Sequence, residues 1–301
     1  MKSGRDRSLN KWTVSKTQDI FTIDFHEPLS RTGPQYILLT ADRHWDNPKS
    51  NRKLQEEHLK LARERNAPVI DIGDFFCAMQ GKYDPRRSYD DIREEHKTDD
   101  YLGALLDTAE DWFAPYADLF AVIGTGNHES AILKNNGLNL TRQLTRKLRR
   151  HSNKDWPFAG GYGGYVNIRA RTAGRQQRRK LLKFYHGSGG GGPVTKGVIQ
   201  TNRRAVFMPD ADIVATGHIH EEWILTMPRE RVNRQGTIEL HNQYHVSVPT
   251  YKEEYMKGDH GWHVERGRPP KPVGAIWIKL RHDNENRKGI TSLKATFEMG
   301  D

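Results

Sequence analysis

The sequence predicts an α/β protein in which two β-sheets pack face to face and helices cover their outer faces. Two observations carry this prediction. Up to residue 216, short apolar runs of strand length alternate with amphipathic helical stretches, whereas beyond residue 220 the pattern is β alone. The chain has 301 residues, which is enough for a sizeable core. We expect residues 1–19 to form a basic N-terminal arm and residues 20–301 to form a single domain.

Apolar periodicity places the individual elements along the chain. Strands are predicted in the first part of the chain at residues 36–40, 69–72, 119–123, 165–171, 181–185 and 212–216. Helices are predicted at residues 51–65, 101–114, 138–150 and 194–206. The final β segments are predicted at residues 221–227, 236–248, 273–280 and 290–298.

Two stretches between these elements are strongly charged. Residues 81–100 are dense in charges of both signs and hold little apolar material, so we expect an exposed excursion that covers the functional site. Residues 169–183, which connect two predicted strands, hold seven basic residues and no acidic one. We expect this second stretch to be a basic loop.

Composition limits the class of protein and its partners. The net charge of +10 attracts polyanions, of which nucleic acid is the commonest in a cell, although a basic surface also serves solubility. Cys77 is the single cysteine, so the fold does not depend on an internal disulfide. Residues 1–18 lack the apolar segment of a secretory signal, and no run approaches the roughly 18 apolar residues that span a bilayer. We therefore expect a cytoplasmic protein that does not enter a membrane.

Residue types that bind metals or move protons follow the ends of several predicted strands. They occur in the segments Asp42-Arg43-His44, Gly73-Asp74, Gly126-Asn127-His128-Glu129, His186 and Gly217-His218-Ile219-His220. We expect the third segment to be a loop after the strand at residues 119–123, because Gly124 and Gly126 interrupt the apolar pattern. Ligands bind beyond the carboxyl ends of strands in open α/β sheets. Oxygen and imidazole donors suit borderline divalent metals such as Mn, Fe, Zn and Ni.

Each of these residues also has a structural explanation when it is taken alone. Asp42 and Asp74 are residue types that cap helices or form turns, and a single His186 is more often a hydrogen-bonded core residue than a ligand. The order of the segments and their common place at strand ends favour a metal site.

This ordered set resembles the calcineurin-like metallophosphoesterase superfamily over about residues 36–250. The resemblance implies a four-layer α/β/β/α sandwich of two mixed sheets flanked by helices, built around a dinuclear metal centre. The first metal ion would be held by Asp42, His44, Asp74 and His220, and the second by Asp74, Asn127, His186 and His218. His128 would protonate the leaving alkoxide as a general acid. We expect two divalent ions, with Mn favoured over Fe, Zn, Ni or Mg.

The chain departs from the superfamily pattern after Asp74. Phosphoprotein phosphatases of this superfamily continue G-D-x-x-D-R-G, whereas this chain reads Gly73-Asp74-Phe75-Phe76-Cys77-Ala78. Cys77 stands where an Asp would orient the catalytic His, and the following Arg is absent. The sequence leaves open whether Glu129 or Asp46 orients His128. A tail that includes Gly261 to Pro270 resembles tails of phage-type members.

Hydrolysis of phosphodiester bonds in nucleic acid is the function that these observations favour. In the basic loop, Arg175, Arg178, Arg179 and Lys180 are expected to contact backbone phosphates. Trp45, beside the metal-binding segment, either stacks on a base or packs in the core. A phosphomonoesterase or phosphoprotein phosphatase remains an alternative, and a non-catalytic nucleic-acid-binding protein with a structural metal site is a third. The sequence does not decide between DNA and RNA, between exonuclease and endonuclease action, or among oligomeric states.

Overall fold

The structure, a computed structural model, describes residues 10–29, 33–81, 83–84, 87–172, 177–192, 194–233, 235–255, 264, 267–283 and 292–300. The strands are β1 (Trp12–Thr17), β2 (Ile20–Pro28), β3 (Gln35–Thr40), β4 (Val69–Asp71), β5 (Phe120–Ile123), β6 (Phe158–Ala159), β7 (Gly163–Arg171), β8 (Gln177–Tyr185), β9 (Ile213–Thr216), β10 (Trp223–Val232), β11 (Ile238–Ser247), β12 (Ala275–Asp283) and β13 (Ser292–Gly300). The α-helices are α1 (Arg52–Glu64), α2 (Tyr101–Phe113), α3 (Asn127–Asn136), α4 (Leu140–Ser152) and α5 (Ile199–Phe207).

The strands form two mixed sheets whose apolar faces pack against each other. One is seven-stranded with the order β1-β2-β7-β8-β9-β11-β10, and the other is six-stranded with the order β13-β12-β3-β4-β5-β6. Ile37 of β3, Val166 of β7 and Ile278 of β12 are fully buried in the core between the sheets. This face-to-face packing confirms the predicted pair of sheets.

Helices cover the outer face of each sheet. Leu59 of α1, Leu105 of α2 and Leu144 of α4 are buried together with Phe120 on the six-stranded sheet. On the seven-stranded sheet, Met208 at the end of α5 packs near β9. The four-layer α/β/β/α sandwich is therefore confirmed. None of the helices in the described ranges has the length and apolarity needed to cross a bilayer.

Parallel pairing brings the chemically interesting strand ends together. β3, β4 and β5 are parallel neighbours in the six-stranded sheet, so their carboxyl ends lie at one edge. In the facing sheet β8 and β9 are parallel neighbours, with Tyr185 of β8 opposite Thr216 of β9. The segments that follow these strands therefore begin close together, although they come from two different sheets.

The predicted basic arm of residues 1–19 is too long. Trp12–Thr17 form β1, an edge strand that pairs with β2, and Trp12 is fully buried against Trp156. Residues 1–9 lie outside the described residues. Sequence reasoning missed β1 and β2 because charged and polar residues dominate this stretch, although Trp12 and Val14 alternate with polar residues as strand residues do.

The predicted basic loop at residues 169–183 is wrong in its bounds, although the hairpin around it is confirmed. β7 and β8 pair without interruption from Gly163 opposite Tyr185 to Arg171 opposite Gln177. Arg178, Arg179 and Lys180 are therefore strand residues near the start of β8. Arg175 lies outside the described residues, as does the part of the phage-like tail at residues 256–263.

The stretch at residues 81–100 contains short 3₁₀ turns at Tyr89–Asp91 and Glu94–His96. The prediction of exposure is wrong for Ile92 and His96, whose side chains are buried. Arg93 donates a hydrogen bond of 3.1 Å to the carbonyl oxygen of Asn47, which ties the stretch to the segment after β3. Residues 82, 85 and 86 lie outside the described part of the chain.

A buried ion pair links the carboxyl ends of β3 and β4. Arg43 donates from Nε to Asp71 Oδ2 over 2.6 Å, and both side chains are fully buried. The guanidinium also donates to Gln55 and Thr40. Burial raises the pKa of the Asp71 carboxyl, and the charge of Arg43 opposes that rise. Arg43 thereby fixes the backbone that carries its neighbours Asp42 and His44.

We predict that Arg43→Met lowers the free energy of unfolding by about 3–5 kcal/mol, because it leaves a buried carboxylate without its partner. Urea denaturation followed by circular dichroism measures this loss. The double variant Arg43→Met with Asp71→Asn should recover part of it, since no buried charge is then unpaired. A single variant within about 1 kcal/mol of the parent would contradict the prediction.

Candidate metal centre

The first group of side chains, which we call cluster one, consists of Asp42, His44 and His220. Asp42 Oδ1 lies 3.2 Å from His220 Nε2, and His44 Nε2 lies 3.4 Å from the same nitrogen. Asp42 and His44 are buried, while His220 is half-buried. The segments after β3 and β9, from opposite sheets, thus meet at one point.

The second group, cluster two, consists of Asp74, His186 and His218, and Asn127 lies beside it. His186 Nε2 lies 3.2 Å from Asp74 Oδ2 and 3.2 Å from Asn127 Oδ1. One ligand atom from each member of the cluster lies within 4.8 Å of the others. All the metal ligands that the sequence predicts are therefore brought together, in two groups that match those implied by the resemblance except that Asp74, expected in both, is grouped with cluster two alone.

The donor sets fit divalent cations. Ligand atoms bound at 2.0–2.2 Å to a tetrahedral ion are about 3.4 Å apart, which matches the spacings in both clusters. In cluster one, two imidazole nitrogens and a carboxylate oxygen face each other, and the two nitrogens share at most one proton between them. Asp42 Oδ1 is a buried oxygen without a hydrogen-bond partner among the described residues. A cation accepts all three lone pairs at once.

The backbone is left-handed at most of these positions. The φ angles are 49° at Asp42, 44° at His44, 52° at Asp74, 72° at His218 and 53° at His220. Asp and His tolerate this region better than most residues, but each instance costs on the order of 1 kcal/mol. Strain concentrated at one place is typical of functional sites.

Close packing of the strand ends explains the glycines around Asp74. A Cβ atom at Gly73 would lie 2.5 Å from the backbone nitrogen of Gly126. A Cβ atom at Gly126 would lie 2.0 Å from Asp74 Oδ1. Any side chain at either position would therefore push the segments after β4 and β5 apart.

The prediction that Gly126 to Glu129 forms a loop is wrong. Gly126 is the N-cap of α3, so Asn127 and His128 occupy its first turn. The N–H of His128 donates to Asp74 Oδ1 over 2.9 Å, which places a carboxylate at the helix N-terminus, where backbone dipoles favour negative charge. An apolar run followed by a glycine does not by itself distinguish a loop from a helix start.

Glu129 joins the segments after β4 and β5 and does not contact the His128 ring in any described hydrogen bond. Its carboxylate accepts backbone N–H groups from Gly126 at 2.7 Å, Phe76 at 2.9 Å and Asp74 at 3.2 Å. The side chain is buried, and burial together with the charge of Asp74 raises its pKa to about 8. Glu129 therefore holds the two segments in register.

His128 is oriented by a backbone carbonyl. Its Nδ1 contacts the carbonyl oxygen of Cys77, and a carbonyl only accepts, so Nδ1 carries the proton. Asp46 fixes that carbonyl indirectly, because its carboxylate accepts the N–H groups of Cys77 at 2.5 Å and Ala78 at 2.8 Å. Tyr101 of α2 donates to the same carboxylate over 3.2 Å. Of the two residues that the sequence left open, Asp46 is the one connected to His128.

The electrostatics favour the ligand forms of several side chains. Burial opposes ionisation of Asp74, but the charges of His186 and His128 outweigh it and hold the carboxyl pKa well below its usual range. Burial and the charges of His128 and His220 lower the pKa of His44 well below its usual value, so this imidazole is neutral. Burial also acts to lower the pKa of His186, yet the carboxylate of Asp74 raises it to about 9. A cation bound at His186 would therefore have to displace a proton from this imidazole.

A cavity of about 430 Å³ opens over both clusters. Its lining includes His44, Asp74, Asn127, His128, His218 and His220. Sequence reasoning did not assign the other lining residues, among them Lys252, Arg268, Lys271 and Gly189–Gly191. No ligand motif marks these positions, although Arg268 lies in the tail segment noted in the sequence.

Trp45 and the basic residues of β8, which were predicted to contact nucleic acid, do not line the cavity over the clusters. Trp45 is 1% exposed and packs against Trp112 and Phe113, so it does not stack on a base. Arg179 precedes His186 along one continuous strand, and at about 3.3 Å per residue the two lie roughly 20 Å apart. The basic residues near the start of β8 are thus at the opposite edge of the sheet from the clusters.

We predict that two divalent cations bind per chain and that Asp74→Asn abolishes tight binding of both, because the amide lacks the charge of a bridging carboxylate. Metal analysis after gel filtration measures the stoichiometry, and circular dichroism shows whether the variant is folded. Asp111→Asn, on the exposed face of α2, is the matched control. Retention of both ions by Asp74→Asn would contradict the assignment.

We also predict that, at a pH above the raised pKa of Glu129, Glu129→Gln lowers the free energy of unfolding by about 1–3 kcal/mol, because an amide has a single acceptor oxygen for the three N–H groups. Its cation affinity should fall as well, since Asp74 loses its fixed position. Urea denaturation and metal titration measure the two effects. Glu57→Gln, at an exposed site on α1, is the control and should change neither.

No family model and no curated protein matches the chain. Solved structures that resemble it include Vps29 from Cryptosporidium parvum, at 13% identity, with 88% of this chain and 98% of that chain covered and a TM-score of 0.38. The calcineurin-like phosphoesterase YfkN from Bacillus subtilis matches at 14% identity over 89% of this chain and 91% of its own, with a TM-score of 0.37. A putative 5'-nucleotidase from Staphylococcus aureus matches at 14% identity over 89% and 54%, with a TM-score of 0.43. The ordered motifs, the four-layer sandwich and the two converging clusters agree with the architecture that the sequence resemblance to the calcineurin-like metallophosphoesterase superfamily implies.

Proposed function

We propose that the protein is a dinuclear-metal-dependent phosphodiesterase that acts on nucleic acid. The observation that carries this proposal is the convergence of both ligand clusters and His128 on one cavity. Imidazole, carboxylate and amide donors suit Mn²⁺, which we propose as the cation, with Fe, Zn, Ni and Mg as alternatives.

The residues of the chain have separate tasks in such a reaction. When bound, two divalent cations supply Lewis acidity to the phosphoryl oxygens and lower the pKa of a water molecule. His128 Nε2 lies 3.7 Å from Asp74 Oδ2 at the cavity wall, where it can give a proton to the departing alkoxide. The Cys77 carbonyl keeps the ring in that orientation during proton transfer.

A diester fits the site better than a phosphoprotein monoester. The phosphatase pattern places an Arg close after the bridging Asp, where it would neutralise the second charge of a monoester. Here Ala78 stands at the position of that Arg, and it is fully buried. A diester carries a single negative charge and does not need that Arg.

A phosphomonoesterase is the second candidate, because the segment Gly126-Asn127-His128-Glu129 is shared with phosphatases of the superfamily. A binding protein with a structural metal site is disfavoured, because every predicted ligand position holds a competent side chain. Hydrolysis of bis-p-nitrophenyl phosphate and of mono-p-nitrophenyl phosphate with Mn²⁺ separates these possibilities. The proposal requires faster hydrolysis of the diester, and chelation must stop it.

We predict that His128→Ala lowers kcat by about 100-fold or more for a diester with an alkoxide leaving group, because the leaving oxygen then departs without a proton. With a nitrophenolate leaving group the loss should be far smaller. A series of diesters with leaving groups of rising pKa measures the trend, and metal analysis must show both cations retained. Equal losses across the series would show that His128 is not the acid.

We predict that Asp46→Asn also lowers kcat most for the leaving groups of highest pKa, but by a smaller factor than His128→Ala. An amide presents an N–H₂ group to one of the backbone N–H groups of Cys77 and Ala78, so the carbonyl that orients His128 shifts. Tyr101→Phe, which removes a 3.2 Å hydrogen bond to the same carboxylate, should fall between this variant and the parent. An equal loss of kcat for every leaving group would contradict this role and indicate that the variants only perturb the structure.

The double variant Arg178→Ala with Arg179→Ala tests whether the basic residues near the start of β8 contact nucleic acid. We predict unchanged hydrolysis of a small diester, because these residues lie far from the clusters. Binding of long DNA should weaken, and the log–log slope of affinity against salt should flatten by about 0.7–0.9 for each phosphate that the variant no longer neutralises. Filter binding between low and high salt measures the slope. An unchanged slope would make the start of β8 a solvated surface.

A further inference from the structure

Three successive glycines, Gly189–Gly191, line the cavity together with Arg268 and Lys271. We propose that these residues form a subsite for a second phosphate group of the substrate, adjacent to the one that is hydrolysed. The proposal rests on the proposed phosphodiesterase function and assigns the substrate class to chains with repeated phosphates.

The glycine segment lies next to the ligand clusters. It follows the metal ligand His186 closely in sequence and packs over the residues that follow β9. A Cβ atom on Gly191 would lie 3.6 Å from Ile219 Cβ, and Ile219 separates His218 from His220. A phosphate on this segment would therefore be a neighbour of a phosphate at the clusters.

The backbone of the segment offers unused donors. Among the described residues, no hydrogen bond uses the N–H group of Gly189, Gly190 or Gly191 as its donor. Gly189 and Gly190 are exposed, and a Cβ atom on either would have no neighbour within 4 Å. Successive free N–H groups without side chains are the arrangement in which glycine-rich loops hold phosphate oxygens.

Basic side chains supply the charge at the same place. Lys271 pairs with Glu221, and the Glu221 side chain lies 3.6 Å from the Cβ position of Gly191, so the ammonium is fixed beside the segment. Arg268 adds a guanidinium to the cavity lining, and guanidinium groups bind phosphate oxygens in pairs. Lys271 and Arg268 thus bring two cationic groups to the part of the cavity wall that holds the glycine segment.

Binding of short oligonucleotides tests the subsite independently of hydrolysis. The dinucleotide d(TpT) has one phosphate, while d(pTpT) and d(TpTp) each add a second on one side. We expect the parent, kept in chelator, to bind one of the two longer ligands about 10-fold to 100-fold more tightly than d(TpT). With Mn²⁺ the same ligand should show a correspondingly lower KM. Isothermal titration calorimetry and steady-state kinetics measure the two ratios.

Two substitutions should abolish the preference. Gly190→Asp places a carboxylate in the subsite, whereas Gly190→Asn is its neutral isostere, and the backbone at Gly190 is not left-handed. We expect the Asp variant to bind d(pTpT) or d(TpTp) no better than d(TpT), and the Asn variant to keep most of the preference. Arg268→Ala should lose the preference as well, while Arg179→Ala, near the start of β8, should keep it.

Each result bears on a defined claim. Equal affinity of the parent for all three ligands, or equal behaviour of Gly190→Asp and Gly190→Asn, would overturn the subsite. Hydrolysis of bis-p-nitrophenyl phosphate tests the proposed function separately, because that diester has no second phosphate. A parent that binds d(pTpT) or d(TpTp) preferentially but hydrolyses no diester would support the subsite and refute the catalytic proposal.

Discussion

The buried carboxylate of Glu129 holds the two halves of the site in register. Its two oxygens accept backbone N–H groups from Asp74, Phe76 and Gly126, which belong to the segments after two neighbouring strands. Without a common acceptor, these buried N–H groups would lack partners, at a cost of about 1–3 kcal/mol each. Two predicted metal ligands are close to these contacts, because Asp74 is itself one of the donors and Asn127 follows Gly126 directly. The same side chain thus provides hydrogen-bond acceptors for buried backbone N–H groups and fixes the geometry of cluster two.

His128 shows how a family pattern can change while the geometry is kept. A carboxylate that faces Nδ1 both orients an imidazole and stabilises its protonated form, whereas the carbonyl of Cys77 supplies orientation with a smaller electrostatic effect. The charge that is missing from the side chain at position 77 is present instead at Asp46, one hydrogen bond further away. A backbone carbonyl cannot rotate independently, so its direction depends on whatever holds the neighbouring N–H groups. A carboxylate at a different position in the sequence, Asp46, therefore helps to orient His128 in place of one at position 77.

The positions of the predicted metal ligands were predictable because most of them follow closely after a strand. A buried apolar run fixes where the chain enters the site, so the strand-end positions of Asp42, Asp74 and His186 follow from local pattern, while their roles as ligands come from the resemblance. The start of α3 was not predictable in this way, because Gly126 acts as an N-cap only through contacts with Asp74 and Glu129. The edge strand β1 and its neighbour β2 were missed because tertiary packing of a few aromatic residues overrides a polar pattern. The burial of Trp45 among Trp112 and Phe113 likewise depends on residues far away in the sequence.

Strand register indicates where a polyanion could reach the clusters better than the distribution of charge along the sequence does. The net charge of +10 is a property of the whole chain, and the densest basic stretch is the hairpin of β7 and β8. Register places its turn at the amino end of β8, while His186 follows the carboxyl end of the same strand. A ligand at the clusters is therefore about one strand length, roughly 20 Å, away from Arg178 and Arg179. A mononucleotide cannot span that distance, so any contribution of the hairpin requires a polymer that runs along the sheet, whereas Arg268 and Lys271 line the cavity itself.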